Sequence, residues 1–284
     1  MIYSDKALSQ KLERTEARSN ADFVETRSRL EPESDAGWIE VAGAYAMFDG
    51  PGSPLTQTFG LGLFQEAQNA DLAKMEEFFR RRGAPVFHEV SPLAEPSTIS
   101  LLNDRGYRPV ELSSVMYRTI QADGRQLEPG SAEITTRVAG PDEAELWAGV
   151  SANGWATEDE GLAEFMLNFG RIAAQCNGSF PFLAEIDGVP VASGSLFVYD
   201  DVCLLAGAST IAEARGRGAQ SALLRSRLRF AAENGCTLAV MVASPGSQSQ
   251  KNAQKNGFRI AYTRIKWQLM DRSASHDNEA MPEM

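Results

Sequence analysis

The chain has 284 residues, of which 43% are hydrophobic and 23% are charged, and its formal net charge is −11. This length suits two domains of ordinary size, and the composition is that of a globular protein. The acidic balance argues against a nucleic-acid partner, because a protein that binds nucleic acid needs a basic face. No apolar run approaches the roughly 18 residues of a membrane span, and the polar N-terminus does not resemble a signal peptide. We therefore expect a cytoplasmic protein with no membrane partner.

Cysteine and histidine, the usual ligands of zinc, are scarce. Cys176, Cys203 and Cys236 lie far apart, without the spacing of a zinc site or of a disulfide framework, and are interpreted as core residues. Of the two histidines, His88 lies inside an apolar strand pattern and is interpreted as structural, while His276 lies in a polar tail. We expect no metal.

The first half of the chain alternates helical and strand patterns. A helix or a pair of helices is predicted over residues 4–29, ending near Pro32. The segment 70–83 predicts a helix with Asp71 as its N-cap and Gly83 as its stop. Strands are predicted at 37–48, 57–64, 84–92 and 108–120, and a further helix at 96–107.

The second half repeats part of the first. In both, a helix ends with a phenylalanine five residues before a glycine, and the next strand closes on Ser-Pro, as in residues 78–92 and 229–245. A polar helix follows each strand and ends in Arg-Gly-Tyr-Arg at 105–108 or in Asn-Gly-Phe-Arg at 256–259. This order predicts a duplicated unit, although chance similarity between two α/β segments is the alternative.

A glycine-rich junction lies between a strand and a helix at residues 208–224, ASTIAEARGRGAQSALL. The free N–H groups at the start of a helix favour an anion, and glycines let the backbone approach it. Arg215 and Arg217 add positive charge. The junction therefore predicts a site for a phosphate or pyrophosphate.

The spacing within this junction distinguishes three known phosphate loops. A Walker loop needs a lysine that is absent here, and a dinucleotide fingerprint needs a glycine where Ser221 stands. Residues 215–220, Arg-Gly-Arg-Gly-Ala-Gln, resemble the pyrophosphate loop of the GCN5-related N-acetyltransferase (GNAT) superfamily, with Gln220 in place of the last small residue.

The order of elements around the loop extends this resemblance over residues 134–270. It implies an α/β (α+β) chain of two GNAT-like domains, each a mixed, mainly antiparallel sheet flanked by helices. We expect a degenerate N-terminal domain at 1–121, which lacks the phosphate loop, and a linker at 122–131. A GNAT acetyltransferase domain at 132–270 and a disordered tail at 271–284 complete this interpretation.

The resemblance also implies acetyl-CoA as the acyl donor. In such enzymes the strand before the loop splays from its neighbour and holds the donor through backbone groups. A neutral amine then attacks the acetyl carbonyl while a backbone N–H, here near Ala208, stabilises the oxyanion. The cofactor-binding residues implied in this way are Ala208, Ser209, Thr210, Arg215, Gly216, Arg217, Gly218, Ala219, Gln220, Ser249 and Asn252.

The general acid and base are less clearly marked. Many relatives carry a tyrosine acid where this chain has Ala253, which leaves Ser249, Asn252 and Tyr262 as candidates. Ser249 and Asn252 are equally interpreted as helix caps or as residues lining the cofactor helix. Glu158 is the candidate base, with a solvated helix N-terminus as the favoured alternative.

Arginines follow the loop on its own helix, at positions 225, 227 and 229. They are interpreted as a solvated basic face in preference to a phosphate contact.

These observations predict an N-acetyltransferase that acts by direct attack in a ternary complex. Its acceptor would be a small-molecule or peptide amine. A non-catalytic acyl-CoA-binding or sensor protein, and a structural tandem module, are the alternatives. The sequence fixes neither the acceptor nor the oligomeric state.

Overall fold

The computed structural model describes residues 3–121, 133–156 and 160–270. The predicted linker at 122–131 and the predicted tail at 271–284 lie outside the described residues. The described chain forms one eleven-stranded sheet flanked by helices. This mixed, mainly antiparallel arrangement confirms the predicted α/β (α+β) fold class.

The N-terminal half begins with one long helix. The carboxylate of Asp5 caps it by accepting a hydrogen bond from the Leu8 N–H at 2.8 Å, and the helix ends just before Pro32. The elements of this half are α1 (Lys6–Leu30), β1 (Gly37–Val41), β2 (Ala44–Phe48), β3 (Gln57–Phe59), α2 (Asn69–Arg80), β4 (Phe87–Val90), α3 (Ser97–Asp104) and β5 (Tyr107–Thr119).

The C-terminal half follows the predicted succession of elements. β8 and β9 form a hairpin that turns at residues 200 and 201, and the glycine-rich junction opens a fifteen-residue helix. The elements are β6 (Ile134–Val138), α4 (Ala144–Trp155), α5 (Glu160–Ala173), β7 (Ser179–Ile186), β8 (Val189–Tyr199), β9 (Val202–Thr210), α6 (Ala219–Glu233), β10 (Leu238–Ala243), α7 (Gln248–Lys255) and β11 (Arg259–Leu269).

Three predictions for the N-terminal half were wrong in detail. The strand predicted at 57–64 ends at Phe59, because Gly60 and Gly62 adopt positive φ angles and turn the chain. The segment 37–48 is a hairpin rather than one strand, because Ala42 and Gly43 adopt positive φ angles of 49° and 75° and turn the chain. Asp71 is not the N-cap of α2. The N-cap is Gln68, whose N–H donates to the Asp71 carboxylate at 3.0 Å in a capping box.

The two halves share strands in the middle of the sheet, whose order is β1-β2-β3-β4-β11-β5-β10-β9-β8-β7-β6. β11 of the C-terminal half lies between β4 and β5, and β5 of the N-terminal half pairs with β10. Among the described strand pairs, only β3 with β4 and β9 with β10 run parallel, one pair in each half. The division into domains at 1–121 and 132–270, and the duplication, stay predictions, whereas the sheet itself is continuous.

Each face of the sheet has its own hydrophobic core. Alternate residues of β10 point to opposite faces: Ala239 packs beneath α6, while Val240 packs against Leu8 and Leu12 of α1. Farther along, α1 also packs against Ile172 of α5. The first helix of the chain therefore covers part of the C-terminal half. Within the described residues, no helix has the length and apolar character needed to cross a membrane.

Candidate active site

Two parallel strands of the C-terminal half separate partway along their length. β9 and β10 pair only from Val202 opposite Leu238 to Leu204 opposite Val240. Beyond this point, residues 241–243 of β10 pair with β5, and the rest of β9 pairs with β8. The backbone edges that face each other across the gap are therefore unpaired with one another. This wedge can take an extended ligand that hydrogen-bonds to main-chain groups.

A bulge lies in β9 where it borders the wedge. Ser195 of β8 is opposite Ala206, but Ser193 is opposite Ser209, so β9 has one residue more than β8 over this stretch. Gly207 adopts a φ of 59°, a conformation that L-residues rarely adopt. Ala206 and Gly207 are exposed, and Ala208 is half-buried. The bulge thus turns the backbone around Ala208 relative to the regular ladder.

The glycine-rich loop connects this strand to α6. Gly216 and Gly218 adopt positive φ angles of 78° and 95°, and Gly218 is the N-cap, with no side-chain cap. Within the described part of the chain, no backbone N–H of residues 216–221 donates to another protein group. A Cβ on Gly216 would meet nothing within 4 Å, and one on Gly218 would meet only Ile134 Cδ1 at 3.7 Å. The loop is an open cradle of donors at the positive end of a helix, which suits a phosphate or pyrophosphate.

The corresponding stretch of the N-terminal half is filled by protein. Gly60 and Gly62 follow β3 with positive φ angles, but a Cβ on Gly62 would lie 2.0 Å from Thr98 Oγ1, and one on Gly60 would lie 2.8 Å from the ring of Phe64. These glycines therefore allow close packing and leave no cradle.

Two side chains of the loop hold its shape. Arg215 donates from Nη2 to the Gly154 carbonyl at 2.9 Å and from Nε to the Thr210 carbonyl at 3.2 Å. Gln220 donates to Thr210 Oγ1 at 2.8 Å. Gln220 replaces the small residue of the resembled motif and ties the first turn of α6 to the end of β9. The Arg217 side chain is exposed.

A serine pair fixes α4 against the end of β9. The hydroxyl of Ser209 donates to the Ser151 carbonyl at 3.0 Å and lies 3.2 Å from the hydroxyl of Ser193. A Cβ on Gly154 would lie 2.5 Å from Ser209 Oγ, so only glycine allows the helix this close. Ser209 thus supports the site through α4, while its predicted backbone contact with a cofactor stays a prediction.

The structure brings no side chain of α7 forward as an obvious acid. Ala253, at the position of the tyrosine in many relatives, is 1% exposed and packs in the core with Phe258. The interpretation of Ser249 and Asn252 as caps is wrong, because the N-cap is Ser247, whose hydroxyl accepts from the Gln250 N–H at 3.2 Å. Ser249 and Asn252 are exposed, and their contact with a cofactor stays a prediction.

The structure describes only one of the two candidate catalytic residues, Tyr262. Glu158 lies outside the described residues. Tyr262 is buried on β11, and its hydroxyl donates to Glu13 Oε1 of α1 at 2.9 Å. Burial, followed by the nearby Glu13 carboxylate, raises the pKa of Tyr262 well above its ordinary value. The catalytic role of Tyr262 stays a prediction, because the hydroxyl proton that it would donate to the substrate takes part in a hydrogen bond to Glu13.

One buried cation was missed. Arg227 is 3% exposed, so its assignment to a solvated basic face was wrong. The signal was present in the sequence, because position 227 follows Leu223 by four residues and Leu224 by three, inside the apolar stripe of α6. The prediction was wrong because it followed the charge of the arginine side chain and not its position on the helix.

Comparisons with known proteins agree with this geometry. Residues 149–258 match the family model described as acetyltransferase (GNAT) family. A GCN5-related N-acetyltransferase from Kribbella flavida superposes with a TM-score of 0.62 at 16% identity, over 88% of this chain and 96% of that one. A tandem GNAT protein from the clavulanic acid biosynthesis pathway gives 0.54 at 13% identity, over 79% and 74%.

A GCN5-related N-acetyltransferase from Sphaerobacter thermophilus gives a TM-score of 0.52 at 18% identity, over 80% of this chain and 77% of that one. No curated protein sequence matches the chain significantly. Together, the family match over residues 149–258 and the shared fold confirm the predicted resemblance to the GNAT superfamily. Among the described residues, no group of three or more His, Cys, Asp or Glu side chains is arranged to hold a metal ion.

Proposed function

We propose that this protein is an N-acetyltransferase that transfers the acetyl group of acetyl-CoA to a primary amine. The observation that carries the proposal is the wedge between β9 and β10, which lies on the same segment as the open glycine cradle. A ligand that combines an extended arm with a pyrophosphate fits both features at once. Bound acetyl-CoA would supply the activated thioester.

Residues of the glycine-rich loop and of β9 would bind different parts of acetyl-CoA. The N–H groups of residues 216–221 would bind the pyrophosphate, with Arg217 adding charge from its exposed side chain. Arg215 and Gln220 would keep the cradle in shape through their bonds to Thr210. The backbone of Ala208, turned by the bulge, would donate to the oxyanion as the amine attacks. Positioning of this kind supplies most of the rate in a direct transfer.

The reaction also needs a base for the amine proton and an acid for the departing CoA thiolate. We propose Glu158 as the base that takes the amine proton, directly or through water. Tyr262 would serve as the acid only if its hydroxyl leaves Glu13. The excess of acidic residues, with a net charge of −11, favours a cationic acceptor, such as a small-molecule or peptide amine.

A second candidate function is a non-catalytic acyl-CoA-binding protein. The observation that favours it is the buried Ala253, which removes the acid that α7 supplies in many relatives. The two functions predict the same cofactor binding and differ only in turnover.

Thermal unfolding with acetyl-CoA, CoA, NAD and ATP tests the cofactor site. A ligand at about 100 times its Kd adds about 2.7 kcal/mol of stability, which is readily measured. Gly218→Glu should abolish the shift with both CoA species, because its side chain enters the cradle. Gly235→Glu is the matched control: Gly235 follows the other end of α6, has a φ of 79° and would meet nothing within 4 Å.

Release of the CoA thiol in the presence of an aminoglycoside, a polyamine and a lysine peptide then separates the two functions. Turnover supports the transferase, and binding without turnover supports the second candidate. A folded protein that no CoA species stabilises would refute both.

A further inference from the structure

The buried guanidinium of Arg227 lies directly behind the bulge of β9. Its Nη1 donates to the carbonyl of Ser195 at 2.9 Å and to that of Ala206 at 3.3 Å. These two residues are register partners at the point where the bulge begins. Its Nε donates to the Leu223 carbonyl one turn back on α6, at 3.4 Å. One side chain thus joins α6 to both strands that form the bulge.

Among the described residues, no Asp or Glu lies within ion-pair distance of Arg227, and its hydrogen bonds go to backbone carbonyls. Burial lowers the pKa of Arg227 to about 10, so it stays charged at neutral pH. The neighbouring Cys203 thiol does not neutralise it, because the hydrogen bond that Cys203 donates to Cys236, together with burial, raises the pKa of Cys203. A buried cation held only by carbonyls is costly, and an apolar side chain would suit the same stripe of α6 better.

The neighbouring strand leaves room for this group. A Cβ on Gly194 would lie 2.9 Å from both Cζ and Nη1 of Arg227, so glycine alone permits the guanidinium to reach the bulge. Gly194 lies on β8 between Ser193 and Ser195, where the register shifts. β8, α6 and the bulge of β9 therefore all pack around the side chain of Arg227.

The geometry points to Arg227 as a positioning residue for acyl transfer, which holds the bulge so that the Ala208 N–H faces the wedge. The planar peptide between Ala206 and Gly207 is fixed when its carbonyl accepts from Arg227. The direction of the next N–H, that of Ala208, then depends on the φ and ψ of Gly207 alone. This inference rests on the proposed function for its catalytic meaning, but the restraint on the bulge exists without ligand.

Amide hydrogen exchange of the ligand-free full-length protein tests the restraint. In Arg227→Met, amides of residues 206–210 should exchange about tenfold faster than in the wild type, while the amides of α6 keep their protection. Gly194→Ala, which keeps the charge but displaces the guanidinium, should give the same local pattern. Arg227→Lys should restore part of the protection. Arg229→Met is the matched control, because Arg229 lies on the same helix and is exposed.

Kinetics test the consequence for catalysis, with acetyl-CoA and the fastest amine acceptor found. Arg227→Met should lower kcat by about 10- to 100-fold through misplacement of the donor. The KM for acetyl-CoA should change by less than roughly threefold, since the cradle is intact. Arg227→Lys should recover part of kcat.

Exchange at residues 206–210 within about twofold of the wild type would overturn the proposal, whatever the turnover. A fall in kcat no larger than the loss of folded protein would overturn it as well. If the wild type binds no CoA, the proposed function fails, and the exchange data still decide whether Arg227 restrains the bulge.

Discussion

Replacing Arg264 with methionine should destabilise the protein more than any surface substitution. Arg264 lies on β11, is 2% exposed, and contacts three carboxylates. Its Nε donates to Glu89 at 3.0 Å, and its Nη1 donates to Glu13 at 3.1 Å. Both terminal nitrogens donate to Glu16, at 2.6 and 3.1 Å. The substitution would leave this acidic cluster around an apolar side chain.

The size of the effect follows from the burial of these partners. Glu13 has no exposed side-chain surface, and the side chain of Glu89 is 5% exposed, so water cannot replace the guanidinium at either. Breaking a buried ion pair from one side costs about 3–5 kcal/mol. This is a large fraction of the 5–15 kcal/mol by which a typical domain is stable. Lys266 reaches Glu89 at 3.4 Å and compensates only one carboxylate.

The cost should also depend on pH. At low pH the orphaned carboxylates are protonated in both the folded and the unfolded protein, and the substitution costs least. As pH rises above about 4.5, the unfolded chain releases these protons more readily than the folded variant, and the cost grows. Equilibrium unfolding in guanidinium chloride at pH 5 and pH 8 measures both values.

Glu13→Gln is the matched control within the same cluster. Burial, only partly offset by Arg264, raises the pKa of Glu13 to about 7. The folded protein therefore binds a proton that the unfolded chain has released, and this component of stability falls by up to about 1.4 kcal/mol per pH unit between about 4.5 and 7. The glutamine variant should lack that slope, so its stability should be near that of the wild type at about pH 4.5 and higher than that of the wild type at pH 8. A cost of Arg264→Met below about 1 kcal/mol, or one that is flat with pH, would refute this reasoning.

Two further predictions concern the N-terminal half. His88 is fully buried, its Nε2 lies 3.0 Å from the Tyr107 hydroxyl, and burial lowers its pKa to about 3. The free energy of unfolding should therefore fall as pH drops from about 6.5 towards 3. Urea unfolding at pH 4–7 should show that His88→Gln lacks this pH-dependent component. A fragment of residues 133–284 should fail to unfold cooperatively when expressed alone, because β10 loses β5 and the sheet loses α1, and co-expression with residues 1–121 should restore a cooperative melt. A slope unchanged in His88→Gln, or a cooperative melt of the isolated fragment, would contradict them.

The sequence predicts local structure well where periodicity is strong. The helix of residues 219–233, the hairpin of β8 and β9, and the long strand β11 all lie where the patterns indicate. The boundary errors at Asp71 and Ala42 arise from turn and cap geometry. At such positions, moving the boundary of a helix or strand by a few residues leaves the hydrophobic pattern unchanged.

What periodicity misses is pairing between distant segments. β5 and β11 read as ordinary half-buried strands, and nothing in either reveals that β11 lies between β4 and β5. The same limit hides the buried charges. Glu13 lies in the first helix and Arg264 in the last strand, so the ion pair exists only once those elements meet. Arg227 differs, because its helical phase marks it as buried, and residue type alone argues otherwise.

The shared strands explain why a half without a phosphate cradle belongs to the site. Where β9 leaves β10, residues 241–243 of β10 would have an unpaired edge on each side if β5 were absent. β5 pairs with this stretch through Ser114, Val115 and Met116, so one wall of the wedge is kept extended by the N-terminal half. The other wall is shaped by the bulge and by Arg227 behind it. A rigid gap between two diverging strands needs support on both outer sides, and in this chain each half supplies one of them.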